Sequence, residues 1–221
     1  MVGLGVLVVI AIGVWTTALN PRAQDGAGAS PSVTFIPKPA IEPITFAAVG
    51  DSVTAGDSPD FTAGQVGPLS WVSYASGHGV RFEGGWAVGG TTTETMATSA
   101  TPVDATVLVI VAGTNDVSQG LSFQQTESHL KAIATGVGIQ DVIVSSIPPK
   151  DDDVKGPAEY NSKLQAFAES QGWTFVDAMD GVRRGSHYIE GYTLDGVHPT
   201  AEAARIIGES LRAAIVELGS D

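Results

Sequence analysis

Cysteine is absent from the 221 residues. That excludes a disulfide framework, a thiolate zinc site and a thiol nucleophile, and also a lipoprotein anchor, which needs a cysteine behind its signal segment. Basic residues are scarce: 11 Lys and Arg against 24 Asp and Glu leave a formal charge of -13. Such a surface repels phosphate backbones and anionic headgroups, so nucleic acid is not an expected partner. No internal repeat occurs, and no Gly-x-Ser-x-Gly elbow. What remains has ordinary hydrophobic content, 43%, and suits one sizeable core.

Val2 to Leu19 is an almost unbroken run of Val, Leu, Ile, Ala and Gly. Its length spans a bilayer as a helix, and Trp15 near its end suits an interface. No Lys or Arg precedes the run, so the usual basic start of a signal peptide is missing and orientation is weakly specified. Thr16-Thr17-Ala18 and Ala27-Gly28-Ala29 are candidate cleavage sites. The expectation is a signal or anchor segment over residues 1–19 that meets the membrane, and an extracytoplasmic protein, anchored or secreted. Residues 20–43 are rich in Pro, Ala, Gly and Ser, including Pro21, Pro31, Pro37, Pro39 and Pro43, and read as a semi-extended linker. The folded domain is expected over 44–221.

In that domain, strands and helices alternate. Ile44 to Val49 is a short apolar strand, Trp71 to Ala75 part of a helix, and Val80 to Phe82 and Trp86 to Val88 two short strands. Ala105 to Ala112 is rich in β-branched residues, as a strand buried on both faces requires. Phe123 to Thr135 has helical spacing, Asp141 to Ile147 is a strand stopped by Pro148-Pro149, and Pro157 to Gln171 is a helix. Trp173 to Val176 is a last strand and Ala201 to Leu218 a closing amphipathic helix. Strand followed by helix, repeated, predicts an α/β fold with a mostly parallel sheet covered on both faces.

The chemistry-bearing residues fall in three segments, two of them at predicted strand ends. Gly50-Asp51-Ser52 directly follows the first strand. It places a hydroxyl at the sheet's carboxyl edge, where open α/β folds keep their chemistry; equally, Asp51 or Ser52 suits a helix cap. Gly113-Thr114-Asn115-Asp116 follows the strand Ala105 to Ala112, so Asn115 falls on the same edge, with an Asx turn as the plain alternative. Asp195-Gly196-Val197-His198-Pro199 precedes the last helix. An Asp three residues before a His folds its carboxylate onto one ring nitrogen and frees the other to take a hydroxyl proton. His78, His129 and His187 have no carboxylate at that spacing within a motif and read as locally bonded or exposed.

Together these segments resemble the SGNH hydrolase family, also called GDSL esterases and lipases. Gly50-Asp51-Ser52 matches its nucleophile block, Gly89-Gly90-Thr91 its glycine block, Gly113-Thr114-Asn115-Asp116 its asparagine block, and Asp195-Gly196-Val197-His198-Pro199 its last block. The order holds from about Ile44 to Leu218. The glycine block departs from the usual pattern: the family's Asn position falls near Gly85, and Ala87 replaces an intervening glycine. The resemblance implies a three-layer α/β/α flavodoxin-like fold and an acyl-ester hydrolase. Ser52 would be the nucleophile, His198 its base and Asp195 the group that stabilises the imidazolium. The oxyanion donors would be the Ser52 and Gly90 backbone N–H groups and the Asn115 amide. Neither a metal nor an organic cofactor is required.

The substrate class that follows is a small ester, such as an acetylated carbohydrate. Transfer of the acyl group to a sugar hydroxyl, or a binding module that keeps the fold without turnover, are the alternatives. Asp151-Asp152-Asp153 reads as a solvated turn ahead of a metal site. Arg183-Arg184 reads as a pair solvated beside Asp177 and Asp180. The irregular stretch Gly56 to Gly67 is expected to rim the pocket and, through Asp57 and Asp60, to disfavour anionic substrates. Tyr188 and Tyr192 are candidates to line a shallow sugar cleft.

Overall fold

The computed structural model describes residues 42–220. The apolar run, its cleavage candidates and nearly all of the Pro-rich stretch lie outside the described residues. Among the described residues no helix is long and apolar enough to cross a membrane.

Five parallel strands form the central sheet: β1 (Ile44–Gly50), β2 (Val80–Ala87), β3 (Val107–Val111), β4 (Asp141–Ser145) and β5 (Thr174–Val176). They lie in the order β2-β1-β3-β4-β5 and every pairing is parallel. This is the doubly wound, flavodoxin-like order, which reverses direction between β1 and β3. Side chains alternate across the sheet, so both faces must be covered, and the two core clusters divide the strands by parity. Phe46 and Ala48 of β1 and Val107, Val109 and Val111 of β3 pack under α7 (Ala201–Leu218) and α2 (Val72–Ala75). Ala47 and Val49, with Leu108 and Ile110, pack under α3 (Thr93–Ser99), α5 (Phe123–Val137) and α6 (Gly156–Gln171). All five residues of β3 are therefore buried.

The helices follow their own sequence signals. Ser122 and Gln125 form a capping box at the start of α5, and Thr200 accepts from Ala203 N at the start of α7. Ala203, Ile207, Leu211 and Ile215 lie at i, i+4 spacing, and each is fully buried.

Three sequence expectations change. Val80–Phe82 and Trp86–Val88 are not two strands but one, β2, running from Val80 to Ala87. The glycines between them accommodate a bulge, where Phe46 pairs with Phe82 and Ala47 already with Gly84. Gly85 faces the Ala48 carbonyl so closely that any Cβ would lie 1.9 Å from that oxygen. Second, β3 and β4 are shorter than their apolar runs, ending at Val111 and Ser145. Third, the short helices α3 and α4 (Thr114–Gln119) are additional to the sequence expectation; their sequences, rich in Thr and Ser, have weak helix propensity and depend on tertiary contacts.

Helix α7 approaches the Trp71 turn closely enough to require glycine. A Cβ on Gly208 would lie 2.3 Å from the Trp71 carbonyl oxygen and 2.7 Å from Tyr74 Cβ. In an exposed helix, Gly→Ala stabilises by about 1 kcal/mol. Here the sign reverses: Gly208→Ala is expected to destabilise by about 1–3 kcal/mol, read as a lower urea midpoint at unchanged m-value. A midpoint at or above that of the parent protein would mean that α7 and the Trp71 turn are not in close packing.

Candidate active site

Strand β1 ends at Gly50, and the chain turns at once into α1 (Ser52–Ala55). Asp51 caps that turn, its Oδ1 accepting from Val53 N at 3.0 Å. Capping and a role for Ser52 are thus compatible, because the cap fixes where the next side chain points. A second brace comes from the layer behind. The Trp71 indole N–H donates to Thr54 Oγ1 at 3.0 Å, and the Ser70 hydroxyl donates to the Thr54 carbonyl at 2.5 Å.

His198 reaches this turn from 146 positions away in the chain, its Nε2 lying 2.9 Å from Ser52 Oγ. Its Nδ1 lies 2.7 Å from Asp195 Oδ2. A carboxylate only accepts, so Nδ1 carries the proton and Nε2 is the acceptor for the Ser52 hydroxyl. The other oxygen, Asp195 Oδ1, accepts from His198 N at 2.8 Å and from Val197 N at 3.1 Å. These bonds, led by the His198 backbone N–H, hold the Asp195 carboxyl below its ordinary value although it stands in water.

The loop that carries the pair is braced internally. Thr193 Oγ1 accepts from Gly196 N at 2.8 Å and donates to the His198 carbonyl at 3.0 Å. Leu194 N donates to the same carbonyl at 2.8 Å. Tyr188, buried beneath, donates its hydroxyl to the Val197 carbonyl at 2.9 Å, and burial pushes that phenol far up. Tyr188 therefore does not line a sugar cleft, and Tyr192 packs against the core instead.

Gly90 and Asn115 come to the same place. With Ser52 and His198 they line a cavity of about 560 Å³. The loop after β2 crosses Ser52 so closely that a Cβ on Gly89 would lie 3.4 Å from Ser52 Cβ, and Gly90 sits at φ 78°, a left-handed conformation that glycine adopts without cost. Asn115 Nδ2 donates to the Thr91 carbonyl at 2.9 Å, which ties the asparagine block to the glycine block and fixes which way the amide points. Behind Asn115, buried Asp116 accepts from Thr93 N at 3.0 Å, from the Thr93 hydroxyl, and from Thr126 Oγ1 at 3.0 Å. His129 closes that network, its Nδ1 lying 3.0 Å from Thr93 Oγ1.

A second, smaller cavity of about 200 Å³ opens on the other side of Ser52, lined by Gly56, Leu69, Leu194 and Pro199. The acidic stretch after Gly56 does not rim it as expected. The Asp57 carboxylate accepts from Leu69 N at 2.8 Å and Asp60 from Ala63 N at 3.0 Å, and neither residue lines a cavity at Ser52. Asp152 pairs with Lys150, and Asp153 accepts from Gly156 N at the start of α6; among the described residues no group of three or more His, Asp or Glu is arranged to hold a metal. Arg183 pairs with Asp177 and Asp180 beside a separate cavity under β5.

Residues 48–206 match the GDSL-like Lipase/Acylhydrolase family. The chain belongs to that family. Solved structures with this fold include a GDSL-like lipase from Bacteroides thetaiotaomicron, 21% identical, TM-score 0.57, covering 80% of this chain and 92% of that one. Another is a member of the lipolytic G-D-S-L family from Veillonella parvula, 21% identical, TM-score 0.58, covering 78% and 97%. A variant of an acetyl xylan esterase from Geobacillus stearothermophilus is 18% identical, TM-score 0.55, covering 78% and 94%. At these identities the likeness shows the SGNH hydrolase fold. No curated protein matches the sequence.

Sequence reasoning missed the supporting residues of this acylhydrolase site. Thr193 carried a signal, a hydroxyl two residues before Asp195 where a side-chain turn forms. Thr91 lies within the glycine block, but nothing local marks its carbonyl as the partner of Asn115; Leu69 and Leu194 carried no signal, since only the fold brings them beside Ser52.

Asp51 generates a test of this geometry. It is 1% exposed, and its Oδ2 has no hydrogen-bond partner. The buried Thr114 hydroxyl lies near enough to favour the ionised form but makes no hydrogen bond of proper geometry. Burial, with the charge of Asp116 adding to it, raises the carboxyl from 3.8 to about 6. Between those values the folded protein holds a proton that the unfolded chain has lost, so this stabilising contribution is full below 3.8 and gone above about 6. The shift is worth about 3 kcal/mol. Asp51→Asn keeps the acceptor for Val53 N and lacks the titration. Its stability relative to the parent protein is expected to rise by about that amount from pH 4 to pH 7, measured by urea unfolding; a constant difference would place Asp51 in contact with water.

Proposed function

We propose that this acylhydrolase is a serine esterase that removes short acyl groups, acetyl foremost, from hydroxyls of a carbohydrate outside the cytoplasm. The observation that carries the reading is the unbroken hydrogen-bonded line from Asp195 through His198 to Ser52 at the carboxyl edge of β1. A serine hydroxyl is a weak nucleophile until a base takes its proton. As Ser52 Oγ bonds to the ester carbon, its proton passes to His198 Nε2, and Asp195 stabilises the imidazolium. The oxyanion turns toward the Gly90 and Asn115 side, where backbone N–H groups and the amide donate to it. The carbon–alkoxy bond then breaks, and His198 returns the proton to the departing alcohol. Water attacks the acyl-Ser52 ester with His198 again as base, releasing the carboxylic acid and restoring the hydroxyl.

The side chains of His198 and Asp195 are 41% and 53% exposed, so water reaches the acyl-enzyme freely, which supports hydrolysis over transfer. Short acyl groups are supported by the cavity of about 200 Å³ beside Leu69 and Leu194, smaller than sites for drug-sized ligands. A carbohydrate ester is supported by the acetyl xylan esterase among the proteins of similar fold. An extracytoplasmic setting is supported by the apolar run Val2 to Leu19, which would tether or export the domain.

Ser52→Ala is expected to abolish both turnover of p-nitrophenyl acetate and labelling by a fluorophosphonate, with an unchanged circular dichroism spectrum. Retained turnover in the folded variant would overturn the reading. Asn115→Ala is expected to lower kcat by about 10²- to 10³-fold, whereas a loss confined to KM would assign the amide to ground-state binding. Across acetyl, butyryl, octanoyl and palmitoyl esters of one alcohol, kcat/KM is expected to peak at acetyl or butyryl. Each further methylene gains about 0.8 kcal/mol only where it is buried, so a maximum at octanoyl or beyond would mean that an apolar channel extends from the small cavity.

A further inference from the structure

The two cavities at Ser52 share Ser52 and His198 and differ in the rest of their lining. The smaller is walled by Leu69, Leu194 and Pro199; the larger by Gly89, Gly90, Asn115 and Ser118, and by Lys150. Among the described residues Lys150 is the only lysine or arginine that lines either one. In a chain of formal charge -13 a cation at this position is not a general property of the surface.

Lys150 is held in place. It follows Pro148 and Pro149, whose rings fix φ. The Asn161 side chain clamps the base of this loop, accepting from Ile147 N at 2.8 Å and donating to the Ile147 carbonyl at 3.0 Å. The far side is tied to the His198 loop, Asp151 N donating to the Gly196 carbonyl at 3.1 Å. The lysine side chain is 18% exposed, and its ammonium lies 2.9 Å from Asp152 Oδ1. Asp152 itself is 75% exposed. An ion pair with so exposed a carboxylate is weak, and Asp152 returns to water at little cost when another anion arrives. The backbone that carries the lysine is, in contrast, already ordered by the loop.

We infer that Lys150 makes this site select esters whose alcohol portion carries an anionic group, such as a uronic acid residue beside the acylated hydroxyl. The inference rests on the serine-esterase reading above. It places the acyl group in the smaller cavity beside Leu69 and Leu194 and the alcohol in the larger one beside Lys150, with the ammonium against the alcohol's carboxylate. The inference runs against the sequence expectation that acidic residues disfavour anionic substrates: Asp57 and Asp60 accept from backbone N–H groups of their own loop and line neither cavity, whereas Lys150 lines the larger one.

The test compares 3- and 4-acetoxybenzoate with the matching neutral acetoxybenzamides, as the ratio of kcat/KM values for charged over neutral ester. Intrinsic reactivity of the leaving groups cancels when that ratio is compared between variants. In Lys150→Met the ratio is expected to fall about tenfold, in Lys150→Arg to stay near that of the parent protein, and in Asp152→Asn to rise. The preference should also shrink with added salt, as a partly exposed charge contact does. An unchanged ratio in Lys150→Met overturns the inference, as does equal loss on both esters. A pair of p-nitrophenyl acetate and p-nitrophenyl hemisuccinate puts the charge on the acyl side; a Lys150-dependent preference there and not in the benzoates overturns the assignment of the two cavities. Failure of the serine reading looks different, since neutral acetate would then not be turned over in a Ser52-dependent way by the parent protein.

Discussion

The parallel pairing of β1 with β3 is the constraint on which everything at the site depends. Phe46 pairs with Val107 and Gly50 with Val111, so the two strands end level with one another. Helices leave them toward opposite faces, and the crevice between their ends is where an open doubly wound sheet has room for a ligand. Ser52 and Asn115 are the second and fourth residues past those level ends, and they face one cavity for that reason. The pairing itself is stabilised by burial of the strand side chains on both sides of the sheet.

Two carboxyls near Ser52 meet opposite environments and take opposite characters. Asp195 stands largely in water but accepts backbone and ring N–H bonds, which hold it low and ionised beside His198. Asp51 is sealed under the turn with one oxygen unpartnered, and burial drives it up. The outer acid is suited to stabilise a transient imidazolium, the inner one to fix the Ser52 turn. The same physical rules, applied to two positions close in space, give one carboxyl held low and another driven up. Each block also depends on a partner outside itself: Asn115 on Thr91, His198 on Thr193 and Tyr188, and α1 on Ser70 and Trp71.

Local pattern was informative wherever a segment's surroundings are uniform. Strand β3, buried on both faces, reads as an apolar β-branched run, and α7, with one face on the core, reads as an i, i+4 stripe. It failed where a tertiary contact outweighs propensity. The glycines of β2 look like a break and instead let the strand continue against Ala48, and the weakly helical residues of α3 and α4 are made helical by the Asp116 network.

The sequence alone determined the alternation of strand and helix, hence the parallel sheet, and it determined where residue types with proton-transfer or donor chemistry fall: Ser52 and Asn115 at strand ends, and Asp195 with His198 just before the last helix. Those are properties of short-range spacing, and spacing survives in one dimension. Only the tertiary structure decided that His198 lies 2.9 Å from Ser52, that Tyr188 supports the loop from below, that Asp57 and Asp60 line neither cavity, and that Lys150 lines the larger one. Each of these depends on how far apart in space two segments come to rest. That distance is fixed by burial and close packing summed over the whole core, and no local stretch of the chain contains it.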